Sequence, residues 1–189
     1  MTPTQATLYT PEAYLDLEIN SQERHEYRSG EIIPMTGGTP NHNELMSILN
    51  AFLRVALRGQ SYGIFIADQR LWIPEFKIYT YPDVMVISRP VQLQEGRKDT
   101  VTNPLMIAEV LSKSTKNYDK DEKFAAYRSI PSFQEYLLID QSQFKVEHYY
   151  KAQVNQWIFS EYKSREDSVN LSSLPCEIPL ADLYDDLQL

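Results

Sequence analysis

"PLMIAEVLSKSTKNYDKDEKFAAYRSIPSFQEYLLID" (residues 104–140) decides the fold. Its apolar run "LMIAEVLS" is short and suits a buried strand. "KNYDKDEKFAAYRSI" (116–130) then follows helical spacing and stops before Pro131, because proline drives its preceding residue out of the helical region. "FQEYLLID" returns to strand character. A helix set between two strands points to an α/β chain.

The rest of the chain extends this pattern. "YPDVMVIS" (81–88) is another apolar strand, preceded by "GIFIAD" and "QRLWIP", which the spacing allows to be one bent strand. In "NHNELMSILNAFLRVALRG" (41–59), Leu45, Ile48, Leu49, Phe52, Val55 and Ala56 recur at helical spacing. Asn41 with Glu44 resembles a capping box, and Gly59 reads as the C-cap. "TPEAYLDLEINSQERHEYRSG" reads as a first helix, with Thr10 as N-cap, Pro11 at the first helical position and Gly30 as its stop. "EIIPM" (31–35) follows as a short strand. "RPVQLQEGRKDTVTN" reads as a polar loop. "KVEHYY" and "QWIFSEYKS" read as strands, and "IPLADLYDDLQL" as a short terminal helix. Helices mixed into a run of strands predict an α/β sandwich with a mixed sheet, and residues 1–189 read as one domain.

The chain has 189 residues, 42 % of them hydrophobic, with a formal net charge of −8. That balance argues against a broad nucleic-acid grip, which needs clustered Lys and Arg, but leaves room for a local basic patch or a metal-bridged contact. A single cysteine, Cys176, excludes an intramolecular disulfide and a cysteine metal cluster. The first residues, "MTPTQATLYTPEAYLDLE", lack a basic segment followed by an apolar one, so no signal peptide is expected. No run approaches the length of a membrane span. The expectation is a cytoplasmic protein with no membrane partner.

Two strands carry an acid where a core strand would have none: Asp83 in "YPDVMVIS" and Glu109 in "LMIAEVLS". A lone buried carboxylate is costly, and two side by side repel. A divalent cation between them converts both penalties into attraction, and Mg²⁺ takes one or two carboxylates while keeping several waters. A bound water of lowered pKa and a neutralised phosphate charge would follow. A lysine would complete such a site. Lys113 follows Glu109 by four residues. Lys123 shares a helix face with Lys120, Phe124 and Tyr127; the two rings pack on the sheet and aim the lysine along it, although a helix-surface lysine paired with Asp119 four residues earlier fits the same spacing.

These residues carry a resemblance. "YPD" followed by "AEVLSKSTKNYDKDEKFAAYRSIPSFQEYLLID", with "HEYRSGEIIPM" and "NHNELMSILNAFL" upstream, resembles the Uma-two family of the PD-(D/E)XK nuclease-like superfamily. The resemblance implies a restriction-endonuclease-like α/β/α core, with a central mixed β-sheet flanked by helices. It implies Mg²⁺-dependent (or Mn²⁺-dependent) phosphodiester hydrolysis with DNA as substrate. Asp83 and Glu109 are the implied metal ligands, together with the Val110 carbonyl. The superfamily pattern puts lysine at position 111, where this chain has Leu111, so the lysine role passes to Lys123, with Lys113 as second choice. Glu26, placed on the first helix, and His42, at the start of the next, are further candidates for the cleft. Gln69 is a weaker one. Lys77, Arg89, Arg97 and Lys98 flank the site in sequence and are candidate phosphate contacts, or simply a solvated loop.

Two other readings stand beside the endonuclease. The missing lysine at 111 and the net charge of −8 suit a catalytically inactive nuclease fold that binds DNA or protein as a regulatory module. Alternatively, the acids are purely structural and satisfied by hydrogen bonds. Exposed strand edges and Tyr-rich faces make a homodimer an expectation of the same kind.

Overall fold

The computed structural model describes residues 8–112, 116–185 and 187. Two β-sheets organise the chain. The larger has six strands in the order β11-β10-β9-β8-β6-β3 and the smaller has five, β2-β1-β5-β4-β7. In the larger sheet, β3 is Tyr62–Ile66, β6 Val84–Ser88, β8 Pro104–Leu111, β9 Glu135–Asp140, β10 Val146–Gln153 and β11 Gln156–Tyr162. In the smaller, β1 is His25–Arg28, β2 Glu31–Pro34, β4 Arg70–Ile73, β5 Ile78–Thr80 and β7 Thr100–Val101. A two-stranded ribbon, β12 (Ser168–Asn170) with β13 (Glu177–Pro179), closes the described chain together with α5 (Leu180–Leu183).

The opening stretch behaves as its composition requires. All eight residues of β8 are buried, as a strand covered on both faces must be. β8 and β9 are parallel, so the chain has to cross over between them, and the helical segment does so. Side chains alternate along β8. Met106, Ala108 and Val110 face a core built with Leu45, Leu49 and Leu53 of α2 (Pro40–Ala56). Ile107 and Leu111 face the other way, onto Tyr127, Phe133 and Tyr136. Glu109 therefore belongs to the second face by its parity. The sheet is mixed, since β6 pairs with β8 antiparallel.

Several local expectations are corrected. The first helix, α1 (Pro11–Asn20), keeps Thr10 as N-cap but ends ten residues before Gly30. Ser21 is already extended, and "HEYR" is β1, hairpinned to β2 with Arg28 opposite Glu31. The two residues between, Ser29 and Gly30, both have positive φ, the requirement of a tight two-residue hairpin. Glu26 thus lies on a strand.

Thr39, not Asn41, caps α2. Its hydroxyl accepts from the His42 amide at 3.2 Å, and Pro40 takes the first turn. The helix ends with Leu57 as C-cap, and Gly59, at φ 77°, turns the chain beyond it. "GIFIAD" and "QRLWIP" are not one bent strand, because Ala67 at φ 41° breaks them and they enter different sheets. The polar loop contributes β7, paired parallel with β4. The helix expected over 116–130 consists of α3 (Lys116–Tyr118), a π-helical turn (Asp119–Lys123) and α4 (Phe124–Arg128).

Candidate active site

The register of β6 and β8 brings the two strand acids together. Val84 pairs with Ala108, which sets Asp83, just before β6, beside Glu109. Asp83 also lies where the chain leaves the smaller sheet at Thr80 and enters the larger at Val84. Its Oδ2 accepts the Val110 amide at 2.7 Å, and its own amide reaches Glu109 Oε2 at 3.4 Å. Val110 thus enters the site through its backbone.

Glu109 Oε1 accepts from Tyr127 Oη at 2.7 Å and from Lys123 Nζ at 3.1 Å. Tyr127 sits on α4, and Lys123 is the last residue of the π-helical turn. Turns of this kind are rare and concentrate at functional sites. Lys123 Nζ also lies 3.3 Å from Asp119 Oδ1 and 3.5 Å from Glu26 Oε1. One buried ammonium is therefore shared by three carboxylates. Glu26 reaches it from β1 of the smaller sheet. Thr80 donates to Glu26 Oε1 at 2.5 Å, and Arg28 Nη2 to Oε2 at 2.5 Å.

The electrostatics follow from crowding acids in a buried place. Burial raises the Glu109 carboxyl; Lys123 opposes this, while Asp83 and Asp119 add to it, and the balance is pushed up to about 8. Burial would lower Lys123, but Glu109, Glu26 and Asp119 outweigh it and hold the lysine well above its ordinary value. Burial works against an ionised Glu26 too, yet Lys123 and Arg28 bring its carboxyl below the usual range. The site thus crowds acids around one ammonium, and Glu109 resists ionisation.

His42 approaches from the first turn of α2. Its Nε2 is 3.2 Å from Asp83 Oδ2. Burial lowers the imidazole, but Asp83 more than compensates, and the net direction is upward. Its Nδ1 is buried with no hydrogen-bond partner among the described residues. The ring packs against Gly38, where an added Cβ would come within 2.8 Å of Nδ1. Asp83, Glu109, Lys123, Asp119, Glu26 and His42 line one cleft of about 770 Å³, with Tyr127 and Thr80 behind its wall. One wall is the strap 35–39 ahead of α2, whose Thr39 is hydrogen-bonded to Gln141 in the turn after β9.

Asp83, Glu109, Lys123, Glu26, His42 and Val110 therefore converge. Lys123 is not an ordinary surface lysine, while Lys120 turns away to pair with Glu147. Lys113 lies outside the described residues. Gln69 is occupied by the carbonyls of Arg70 and Asp99 and does not line the cleft, nor do Lys77, Arg89, Arg97 or Lys98. His25 and His148 have carboxylate partners elsewhere, Glu18 and Glu135. Asp119, Tyr127, Tyr118 and Arg28 belong to the site but were not singled out as members by sequence. The helix-face reading placed Tyr127 against the sheet, and the four-residue spacing joined Asp119 to Lys123. The Tyr127 bond to Glu109 was not legible.

A mixed sheet flanked by helices, with acids where two strands meet, is the architecture of a nuclease-like α/β fold. A structure described as a putative nuclease belonging to DUF820, from Anabaena variabilis, shares it at a TM-score of 0.76, covering 95 % of this chain and 99 % of that one. At 18 % identity the likeness is one of fold. The chain belongs to the Uma2 family, described as "Putative restriction endonuclease", which matches residues 11–181. It is 43 % identical over 165 residues to the uncharacterized Synechocystis protein sll1609, covering 87 % of this chain and 93 % of that protein. It is 33 % identical over 177 residues to slr1290 of the same organism, covering 93 % and 90 %. No helix among the described residues is long and apolar enough to cross a membrane.

Proposed function

We propose that this protein is a Mg²⁺- or Mn²⁺-dependent endonuclease that hydrolyses phosphodiester bonds in DNA. The observation that carries the reading is the convergence of Asp83, Glu109 and Lys123 in an accessible cleft. A structural core would pair a buried acid with one partner. Here Lys123 serves three carboxylates while Asp83 stands beside Glu109, an arrangement short of positive charge.

The donor set fits a hard divalent cation. Among the described residues no three carboxylate or imidazole groups form a ready-made cage, and Mg²⁺ does not need one, because it keeps several waters beside one or two carboxylates. Asp83 and Glu109 would hold it, with the Val110 carbonyl. Once bound, such an ion supplies a more acidic water and offsets charge on a phosphoryl oxygen.

The chain's own residues do the rest. Lys123 presents a fixed ammonium to a phosphate entering beside Glu109, where its charge stabilises the additional negative charge of the transition state. Glu26, Asp119 and Tyr127 hold that ammonium and the Glu109 carboxylate in place. His42, packed against Gly38 and held on Asp83 through Nε2, orients the Asp83 carboxylate. The test is hydrolysis of labelled plasmid and oligonucleotide DNA with Mg²⁺ or Mn²⁺ against EDTA. Cleavage with metal only supports the reading. No cleavage of any DNA, with the protein folded, moves it to a non-catalytic binding module on the same fold.

A further inference from the structure

We infer that the cleft takes an unpaired stretch of polynucleotide, such as a single strand or a flap, rather than a continuous duplex. The inference rests on the nuclease reading of the same site and names its substrate class.

The first observation is charge. Five carboxylates line the cleft against two permanent cations, Arg28 and Lys123. Both already have carboxylate partners. Arg28 is bound to Glu26, and Lys123 to Glu26, Glu109 and Asp119. Duplex DNA carries about one charge per 1.7 Å of its axis, twice the density of either strand, and is gripped by many free Lys and Arg contacts. A chain of net charge −8 with an acidic cleft is poorly suited to that grip.

The second is access. Side-chain exposure is 4 % at Glu109, 9 % at Lys123 and 18 % at Asp83. The reacting groups are therefore at the bottom of the cleft. The strap is tied across to the far rim through Thr39 and Gln141, and Asn41 Nδ2 reaches the Gln141 carbonyl at 3.3 Å. Gln141 Nε2 is in turn held by the Leu111 carbonyl at 2.9 Å. A volume of about 770 Å³ is the size of a small-ligand pocket. One nucleotide and its phosphate can enter it, whereas a stacked base pair held in a helix cannot bring its phosphate to that depth.

The third is a stacking platform. Arg28 lies over the Tyr118 ring, its guanidinium carbon 3.3 Å from the centroid, in the cleft wall. Unpaired bases bind on aromatic and guanidinium planes of this kind. The Tyr118 hydroxyl is buried and has no hydrogen-bond partner among the described residues. A base edge or sugar oxygen would satisfy it.

The test is fluorescence anisotropy with one labelled sequence as single strand, blunt duplex and flapped duplex, with Ca²⁺ replacing Mg²⁺. DNA and RNA versions of the single strand distinguish the source of the chain. Single-stranded and flapped probes should bind about tenfold or more tighter than the blunt duplex. Tyr118→Phe keeps the ring and removes the hydroxyl. It should weaken single-strand binding by about threefold or more with melting temperature unchanged. Duplex binding as tight as single-strand binding, no binding of any probe, or an indifferent Tyr118→Phe would overturn the inference. Metal-dependent cleavage of the blunt duplex alongside such a result would leave the nuclease reading standing. Single-strand preference with no cleavage of any probe would do the reverse.

Discussion

Lys123 Nζ lies 3.1 Å from Glu109 Oε1, with both side chains buried, across the boundary between helix and sheet. Removing one partner of a buried pair costs more than the pair contributes, because a charge is left stranded. Lys123→Met should destabilise the fold by roughly 3 kcal/mol, or about 6–12 °C for a chain of this size. Glu109→Gln in the same background should restore part of it, giving a double mutant less unstable than the sum of the singles. Urea unfolding of the four proteins measures the coupling; additive effects would contradict it.

Tyr127→Phe removes a hydrogen bond of 2.7 Å to Glu109 Oε1 and little volume. A typical hydrogen bond contributes about 0.5–1.5 kcal/mol net, and more only where the acceptor is charged; with the Glu109 carboxyl pushed up to about 8, a stability loss of about 1 kcal/mol is expected. Cleavage should slow through kcat more than through KM, since Tyr127 positions Glu109 and does not line the cleft. A KM change alone would place its role elsewhere.

Gly38 and Gly37 form a matched pair. An added Cβ meets His42 Nδ1 at 2.8 Å at position 38 and nothing within 4 Å at position 37. Gly38→Ala should push the imidazole off Asp83 and lower cleavage about tenfold or more, while Gly37→Ala should leave it near wild type. Equal rates in the two variants would show that His42 takes no part.

Much of this site was legible because an acid in an apolar strand is conspicuous: Asp83 and Glu109 stood out against Val84–Ser88 and Pro104–Leu111. Lys123 was legible through its helix face with Phe124 and Tyr127. Asp119 passed as a mere helix-surface partner, because it sits in a run of surface-like charges, "DKDEK", whose π-helical geometry has no simple periodic signature. Glu26 does converge on Lys123, but from a strand and not from the expected helix. "QERHEYR" has no strand alternation, and its extended form depends on pairing with β2 and β5, partners remote from the local pattern. The β12–β13 ribbon was missed for the same reason: three-residue strands are too short to show a period.

Glu135 gives a pH prediction away from the cleft. Fully buried on β9, it accepts from His148 Nε2 at 2.7 Å and from the Ser172 and Ser173 amides at 2.6 and 3.0 Å, tying the C-terminal segment to the sheet. Burial raises its carboxyl, but these donors outweigh it and the net direction is downward. A lowered folded value contributes stability above the unfolded value of about 4.3. That stability disappears as pH falls through the folded value. Wild type should therefore lose stability on acidification below about pH 5 more steeply than Glu135→Gln, which should be less stable at neutral pH. Parallel melting-temperature profiles for the two would contradict the assignment.

The most direct test of the central claim is single-turnover DNA cleavage by wild type and Glu109→Gln, each with Mg²⁺, Mn²⁺ or EDTA, with circular dichroism confirming the fold. The carboxamide keeps the shape of Glu109 and removes its charge. Wild type should cleave only with metal, and Glu109→Gln should lose about a hundredfold or more. Metal-independent cleavage, or a Glu109→Gln enzyme as fast as wild type, would contradict the claim.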